Sequence, residues 1–187
     1  MKRAVFLDRD GTLIKDIGYL GVRGDVAFFP WTVDAVRALN QAGLPVVVIT
    51  NQSGVARGIF TEPMIEDVHR HISSLLAAGG ARIDAYYYCP HHPDGTVAAY
   101  ARRCDCRKPG CGLIDRASTD LGLDPAHSFV VGDKWIDVGA ARAAGARGIL
   151  VRTGYGASEE AEPPPDLPAD AIVDNLVEAV SWILRQC

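Results

Sequence analysis

The chain has 187 residues and lacks any apolar run that approaches the roughly 20 residues of a membrane-spanning helix. It also lacks an excess of positive charge, since its formal net charge is −4. That balance argues against nucleic acid or an anionic membrane as the main partner, although a local site can still bind an anion. The opening segment MKRAVFLDRDGTL has no signal-peptide pattern, because its apolar stretch ends at Asp8. We therefore expect a cytoplasmic protein.

Cysteine is absent from most of the chain as well. The sequence holds five cysteines, and four of them lie between Cys89 and Cys111. An odd, clustered set is typical of metal binding or free thiols rather than of a disulfide framework, and disulfides are uncommon in the cytosol. Cys111 and Cys187 are predicted to be free thiols.

Apolar, β-branched runs alternate along the chain with longer segments of helical period. Strands are predicted within residues 4–8, 44–54, 83–89, 127–133, 147–153 and 171–173. Helices are predicted within residues 31–43, 61–80, 112–121, 135–144 and 176–185, and a proline-rich surface loop within residues 159–170. This alternation predicts a Rossmann-like α/β fold, with a mostly parallel sheet and helices on both faces. The length suits one domain, residues 1–187, better than two.

Polar side chains collect where four of the predicted strands end. The segments are LDRDGTL, TNQSG, CPHH with CDCRKPG, and GDKWID. Each segment taken alone is compatible with a capped turn. In an open parallel sheet, however, ligands bind beyond the carboxyl ends of the strands, so the four segments together predict one convergent site.

The residues of these segments form a set suited to phosphoryl transfer. Asp8 and Asp10 lie two positions apart, so in extended backbone their carboxylates point the same way. Such a pair can bind Mg²⁺, or divide labour as nucleophile and acid/base. Asp133 offers a third carboxylate, while the Thr50 hydroxyl and the Lys108 ammonium suit phosphate oxygens.

The loop of residues 89–106 carries two pairs of metal-binding side chains, Cys89 with His91 and Cys104 with Cys106. Four thiolate and imidazole ligands are typical of a structural zinc site, which is closed to water and substrate. His91 is favoured over His92 because it repeats the two-residue spacing of the cysteine pair. That spacing is tighter than in the commonest zinc knuckles, so reduced, half-buried cysteines remain the alternative. A zinc ion here would supply the core that the loop lacks, and would fix the direction of the adjacent Arg107 and Lys108.

The segments FLDRDGTL, VVVITNQSG and VGDKWID, with Lys108 between the last two, resemble the four successive motifs of the haloacid dehalogenase-like phosphohydrolases. The resemblance covers most of the chain and thins beyond Gly156. With DIGYL, YYCPHHP and CDCRKPG it narrows to the phosphatases that remove the 7-phosphate of D-glycero-D-manno-heptose 1,7-bisphosphate. The histidinol-phosphate phosphatases, which share the zinc loop, are the alternative, as are phosphatases of other small sugar phosphates.

The resemblance implies a role for each matching residue. Asp8 is implied as the nucleophile that forms an aspartyl-phosphate, and Asp10 as the acid/base, whose pKa its neighbours should raise. Mg²⁺ would be held by Asp8, the backbone carbonyl of Asp10 and Asp133, and zinc by the two ligand pairs of the loop. Thr50 and Lys108 would grip the phosphoryl group. The sugar phosphate would be contacted by Asp16, Gly18, Tyr19, Asn51, Gln52, Ser53, Arg107 and Lys134.

Two features depart from the family pattern. Cys111 stands where proline is expected, and residues 20–31, LGVRGDVAFFPW, have no close match.

No large lid domain fits between the motifs, so we expect a fairly open site. We also expect a monomer. His69 and His71 lie two apart on one predicted helix and are interpreted as solvated or partly buried rather than as site residues.

Two other classes of protein fit part of the pattern. An aspartate-phosphorylated signalling domain also combines an α/β sheet with an acidic cluster, a threonine and a lysine. Its phosphoacceptor usually ends the third strand, whereas here the acid pair ends the first, and such domains carry no zinc loop. A zinc module that binds nucleic acid is opposed by the net charge of −4 and by the lack of a basic, aromatic stripe.

Overall fold

The computed structural model describes residues 2–186, which contain one sheet of six parallel strands. The strands are β1 (Val5–Leu7), β2 (Val46–Asn51), β3 (Ala85–Cys89), β4 (Phe129–Gly132), β5 (Arg147–Val151) and β6 (Ala171–Val173). Their order across the sheet is β3-β2-β1-β4-β5-β6, so the strand order reverses beside β1. The predicted parallel α/β sheet is confirmed.

Helices cover both faces of this sheet. They are α1 (Thr32–Gln41), α2 (Glu62–Ala78), α3 (Gly112–Leu121), α4 (Trp135–Ala144), α5 (Gly156–Ala161) and α6 (Leu176–Leu184). Alternate residues of a strand point to opposite faces. Val5 and Leu7 therefore pack with α1, α2 and α6, whereas Phe6 packs with α3 and α4. The β-branched run of β2 is buried on both faces, which explains why it lies inside the sheet.

Helix α5 was not expected, because it covers the start of the predicted proline-rich loop. It ends before Pro163 and is fixed by its acidic side chains. Glu159 accepts a hydrogen bond from the backbone N–H of Trp135 at 2.8 Å, and Glu160 pairs with Arg152 at 2.5 Å. Trp135 lies 24 residues before Glu159, and Arg152 belongs to the segment after β5 rather than to the helix, so the pattern of the helix itself does not contain these partners.

Two irregular segments lie beside the carboxyl end of the sheet. Residues 90–111, which follow the edge strand β3, contain neither helix nor strand. Residues 20–31 fold back on the segment after β1: Leu20 is buried, and the Lys15 N–H donates to the Ala27 carbonyl at 2.8 Å.

Among the helices within residues 2–186, none combines the length and the apolar character that a membrane span requires.

Two neighbouring leucines of α2 test the assignment of the core. Leu76 is fully buried, whereas Leu75 is 38% exposed. We expect Leu76→Ala to lower the free energy of unfolding by about 2–5 kcal/mol, because it leaves a cavity in the core. Leu75→Ala should lower it by about 1 kcal/mol or less. Urea unfolding of both variants measures the difference, and equal losses would contradict this packing of α2.

Candidate active site

The segments after β1, β2, β3 and β4 meet at one end of the sheet. Leu7 of β1 pairs with Val48 of β2 on one side and with Val131 of β4 on the other, so the residues that follow these strands are neighbours. The reversal of strand order beside β1 is where open α/β sheets form a ligand crevice. A cavity of about 420 Å³ lies there.

This cavity brings together every residue that the sequence predicts for catalysis or substrate contact. Those residues are Asp8, Asp10, Asp16, Gly18, Tyr19, Thr50, Asn51, Gln52, Ser53, Arg107, Lys108 and Lys134. Gly54, Phe60, Ile136 and Tyr155 also line it and were not predicted. Of these four residues, the sequence could have indicated Tyr155 as a site residue, because it follows the carboxyl end of the fifth predicted strand. The other three lie within helices or turns and have no polar group that would mark a site.

Lys108 is a buried cation held between two buried carboxylates. Its Nζ lies 2.8 Å from Asp8 Oδ1 and 2.5 Å from Asp137 Oδ1, and donates to the Ile49 carbonyl at 2.9 Å. Burial acts to lower the pKa of Lys108, but the charges of Asp137 and Asp8 together outweigh it and raise that pKa. Asn51 fixes the lysine backbone, since its side chain donates to the Lys108 carbonyl and accepts from the Lys108 N–H.

Asp137 was not assigned a role from the sequence, although it ends the segment GDKWID. It lies in the first turn of α4, where it accepts a hydrogen bond from the Lys134 N–H at 3.2 Å. A Cβ at Gly132 would come within 2.1 Å of Asp137 Cγ, so only glycine allows this approach. Burial raises the pKa of Asp137 to about 6, even though Lys108 acts to lower it. The sequence contains one indication of its role: an acidic residue at the third position of a predicted helix is typical of a helix cap.

Three carboxylates form a cluster below the cavity. Oxygens of Asp8, Asp133 and Asp137 all lie within 4.8 Å of one another. Asp133 is fully buried, and burial, followed by the charge of Asp8, raises its pKa to about 8. Its Oδ2 accepts the Tyr155 N–H at 2.9 Å, while its Oδ1 has no hydrogen-bond partner among residues 2–186. A buried carboxylate oxygen without a donor, beside a second carboxylate, fits a hard divalent cation.

The backbone around this cluster also leaves no room for another side chain. Gly11 has φ of +84°, and a Cβ there would lie 2.2 Å from Asp133 Oδ2. The Thr153 hydroxyl donates to the Gly11 carbonyl at 2.6 Å, which ties the segment after β5 to the segment after β1. The carboxylate of Asp10 is not part of the cluster. Its predicted contribution to metal binding was the backbone carbonyl alone.

The Asp10 carboxylate has partners of its own. Its Oδ2 accepts from Arg9 Nε at 3.0 Å and from Gln52 Nε2 at 2.9 Å, and its Oδ1 accepts from Arg9 Nη2 at 3.1 Å. Gln52 Nε2 also lies 2.8 Å from Thr50 Oγ1. Burial raises the pKa of Asp10, against the lowering effect of Arg9, and this is the direction that acid catalysis requires. The two carboxylates of the acid pair thus have different surroundings.

The interpretation of His69 as solvated or partly buried is wrong. The residue is 6% exposed, and its Nε2 lies 3.3 Å from Nη1 of Arg9. Its side chain fills the space between α2 and the edge strand β3, which periodicity in the sequence does not reveal. His71, on another side of α2, is partly buried.

Cationic side chains line the rest of the cavity. Lys134 Nζ lies 3.5 Å from Asp16 and 4.3 Å from the centre of the Tyr155 ring. Burial acts to lower the pKa of Lys134, but the surrounding carboxylates, Asp133 foremost, raise it. Arg107 donates to the His91 carbonyl at 3.3 Å, so its guanidinium is oriented by the cysteine-rich loop. The cavity lining therefore brings three cations together with three carboxylates, so it can present positive charge to an anion although the whole chain is acidic.

The predicted zinc ligands come together in that loop. Ligand atoms of Cys89, His91, Cys104 and Cys106 all lie within 4.8 Å of one another. The three sulfur–sulfur distances are 3.2, 3.3 and 3.5 Å, and His91 Nδ1 lies 3.4 Å from Cys106 Sγ. Tetrahedral zinc with Zn–S bonds of about 2.3 Å needs edges only slightly longer than these. The set therefore fits zinc.

The remaining histidine and cysteines of interest lie outside this cluster. His92 accepts the Asp94 N–H at 3.1 Å. The thiol of Cys111 donates to Asp115 at 3.1 Å and, like the other described cysteines, forms no disulfide. Cys187 lies outside the described residues.

Comparison with known proteins identifies the class of this fold and site. A family model described as HAD-hydrolase-like matches residues 105–179. A D-glycero-beta-D-manno-heptose-1,7-bisphosphate 7-phosphatase of Yersinia pestis is 42% identical over 172 residues, which cover 91% of this chain and 92% of the relative. The protein of that name from Haemophilus ducreyi is 43% identical over 175 residues, covering 92% and 96%.

A solved structure is similar over the whole length. It is a D,D-heptose 1,7-bisphosphate phosphatase from B. bronchiseptica in complex with magnesium and phosphate, with a TM-score of 0.86, 33% identity and 100% coverage of both chains. The chain therefore belongs to the HAD-like hydrolases and, among these, to the family of the heptose-1,7-bisphosphate 7-phosphatases. It is a phosphoric monoester hydrolase.

Lys108 and Lys134 provide a matched test of the buried charge cluster. We expect Lys108→Met to lower the free energy of unfolding at pH 7 by about 3–5 kcal/mol, because it leaves Asp8 and Asp137 without their common cation. Lys134→Met removes a lysine whose side chain is 31% exposed, and should lower it by about 1 kcal/mol or less. Urea unfolding without added metal measures both variants. Similar losses would show that Lys108 is not the cation on which the cluster depends.

Proposed function

We propose that this enzyme hydrolyses the 7-phosphate of D-glycero-β-D-manno-heptose 1,7-bisphosphate through an aspartyl-phosphate on Asp8. The observation that carries the chemistry is the Asp8 carboxylate at the cavity floor, 2.8 Å from the buried ammonium of Lys108. A neighbouring carboxylate, Asp10, has a raised pKa and separate partners. The substrate assignment rests on relatives that are 42–43% identical and carry that name.

In the first step an oxygen of Asp8 attacks the phosphorus atom, and the bond between phosphorus and the C7 oxygen breaks. Asp10 gives its proton to that departing oxygen, so the sugar leaves as an alcohol. In the second step water attacks the aspartyl-phosphate, and the ionised Asp10 takes the proton of the water. Phosphate and free Asp8 result, and Asp10 regains its proton. Splitting the reaction in this way makes each half easier than direct attack by water.

Charge repulsion between Asp8 and an anionic ester is the main obstacle to the first step. Lys108 offsets it, because this ammonium lies against the Asp8 oxygen and remains charged. The Thr50 hydroxyl lines the same cavity and is suited to a phosphoryl oxygen. Asp8, Asp133 and the Asp10 backbone carbonyl would hold Mg²⁺. When bound, this ion neutralises charge on the transferring phosphoryl group.

The remaining polar lining suits a sugar with a second phosphate. Arg107 and Lys134 supply positive charge, while Asp16, Asn51 and Ser53 offer groups that hydrogen-bond to hydroxyls. Histidinol phosphate would instead present an ammonium and would need a free carboxylate. Asp16 is the carboxylate in the cavity suited to that task, and it already pairs with Lys134 at 3.5 Å. Because this pair is neutral, the charge that Arg107 adds to the lining favours an additional anion over an additional cation.

The assignment is tested by phosphate release in the presence of Mg²⁺. The substrates are the β and α anomers of the heptose 1,7-bisphosphate and histidinol phosphate, and Asp8→Asn is the inactive control. We expect kcat/KM for the β anomer to exceed that for histidinol phosphate by about tenfold or more, since the rejected substrate leaves polar groups unpaired. A preference for histidinol phosphate would overturn the substrate assignment alone. Release by Asp8→Asn at the wild-type rate would overturn the mechanism.

We also propose that Cys89, His91, Cys104 and Cys106 hold a structural Zn²⁺. Four protein ligands complete the usual coordination of zinc, so no position is open for water or substrate. The function of the ion would be to order the loop of residues 90–111, which has no secondary structure of its own. Lys108 is only two residues beyond Cys106, so order in the loop determines where that ammonium lies.

Removal of the zinc tests this role. We expect a chelator, followed by restored Mg²⁺, to expose the amides of residues 90–111 to hydrogen exchange and to reduce activity by about tenfold or more. Cys104→Ser should act in the same direction. Cys111→Ser is the matched control, because that thiol bonds to Asp115 rather than to the cluster. Full activity with an unchanged exchange pattern after chelation would contradict the proposal.

A further inference from the structure

Arg9, between the two aspartates of the acid pair, is the largest of the fully buried side chains. Its Nε and Nη2 donate to the Asp10 carboxylate as a two-pronged fork, and its Nη1 lies 3.3 Å from His69 Nε2. A guanidinium taken out of water needs acceptors for its N–H groups. Asp10 accepts from Nε and Nη2, and His69 lies at the remaining nitrogen, Nη1.

The contact defines the state of the histidine. A guanidinium can only donate, so His69 Nε2 must accept, and the neutral imidazole carries its proton on Nδ1. Burial and the charge of Arg9 lower the pKa of His69 to about 3. His69 is therefore a neutral acceptor throughout the ordinary pH range.

The ring of His69 is itself fixed by two tyrosines of β3. It stacks on Tyr86 with 4.5 Å between ring centroids and an interplanar angle of 18°, and it meets Tyr88 edge-on at 6.0 Å. The Tyr86 hydroxyl lies 3.0 Å from the hydroxyl of Ser73, one turn beyond His69 on α2. The packing of α2 against β3 thus sets the place of the acceptor.

The series of contacts that runs from Tyr86 through His69 and Arg9 ends at the Asp10 carboxylate. The Arg9 fork fixes the plane of the carboxylate, because two parallel hydrogen bonds allow little rotation. Oδ2 accepts from both Arg9 and Gln52, whereas Oδ1 accepts from Arg9 alone and keeps a lone pair free. If Nη1 lost its acceptor, the guanidinium would turn to find another, and the carboxylate would turn with it.

We propose that His69 is a positioning residue: by anchoring Arg9, it holds the Asp10 carboxylate in the orientation that serves proton transfer to the leaving oxygen. This rests on the role of Asp10 in the proposed function. His69 does not touch the cavity, so its effect on the reaction passes entirely through Arg9.

Such a role predicts an effect that depends on the leaving group. A sugar alkoxide needs a proton in order to depart, whereas p-nitrophenolate departs without one. The kcat/KM value reports the steps up to the first irreversible one, here the departure of the leaving group. A misplaced Asp10 therefore harms the sugar phosphate more than p-nitrophenyl phosphate.

The test compares His69→Phe with His69→Gln. Phenylalanine keeps a ring against Tyr86 but removes the acceptor, while the glutamine carbonyl can still accept from Arg9. General acid catalysis contributes about 10²–10⁴-fold, so partial misplacement should reduce kcat/KM for the sugar phosphate by about tenfold. For p-nitrophenyl phosphate we expect a loss of about threefold or less. His69→Gln should restore most of the loss, and His71→Leu, on another side of α2, is the control variant.

Three results would overturn the positioning role of His69. They are equal losses on both substrates, no loss on either substrate, and a loss on the sugar phosphate alone that His69→Gln does not repair. If His69→Phe does not fold, His69→Leu replaces it in the same comparison. Failure of the wild type to hydrolyse heptose bisphosphate would concern the proposed function alone. The comparison would then use whichever alkyl phosphate the enzyme hydrolyses.

Discussion

The arrangement of this active site depends on one buried cation. Lys108 lies between Asp8 and Asp137, at 2.8 and 2.5 Å, and all three side chains are almost completely removed from water. Any one of them left alone in that place would be strongly unfavourable. Three separate parts of the chain, the end of β1, the start of α4 and the irregular loop after β3, must therefore meet correctly for the charges to balance. The same requirement for charge balance thereby places the ammonium beside the Asp8 carboxylate.

The fold and much of the site follow from the sequence because the rules behind them are local. A β-branched run such as β2 identifies a buried strand, and the polar residues after parallel strands must meet at one edge. Asp8, Thr50 and Asp133 are found in this way. His69 and Arg9 are not, because their burial depends on how α2 packs against β3. Helix α5 was missed for a similar reason, since its acidic side chains bind Trp135 and Arg152 from other parts of the chain.

Two aspartates separated by a single residue have different surroundings because their partners come from different elements. Asp8 faces the ammonium of Lys108 and lies beside the carboxylates of α4 and its preceding turn. Asp10 faces Arg9 and Gln52 in a buried position where desolvation is the strongest influence on its pKa. Sequence spacing brings the two carboxylates to one place, but only the tertiary surroundings can divide the roles between them.

The cysteine-rich loop determines the position of the adjacent Lys108. Lys108 must be held rigidly, yet it lies in a segment without helix or strand, next to an edge strand that offers hydrogen bonds on one side only. A hydrophobic core of its own would need more apolar side chains than this polar loop contains. A four-ligand metal would provide the rigidity with four side chains, and Asn51 then locks the lysine backbone from the side of β2. The metal at the cysteines would thus contribute to catalysis by position, whereas a metal at Asp8 and Asp133 would contribute by charge.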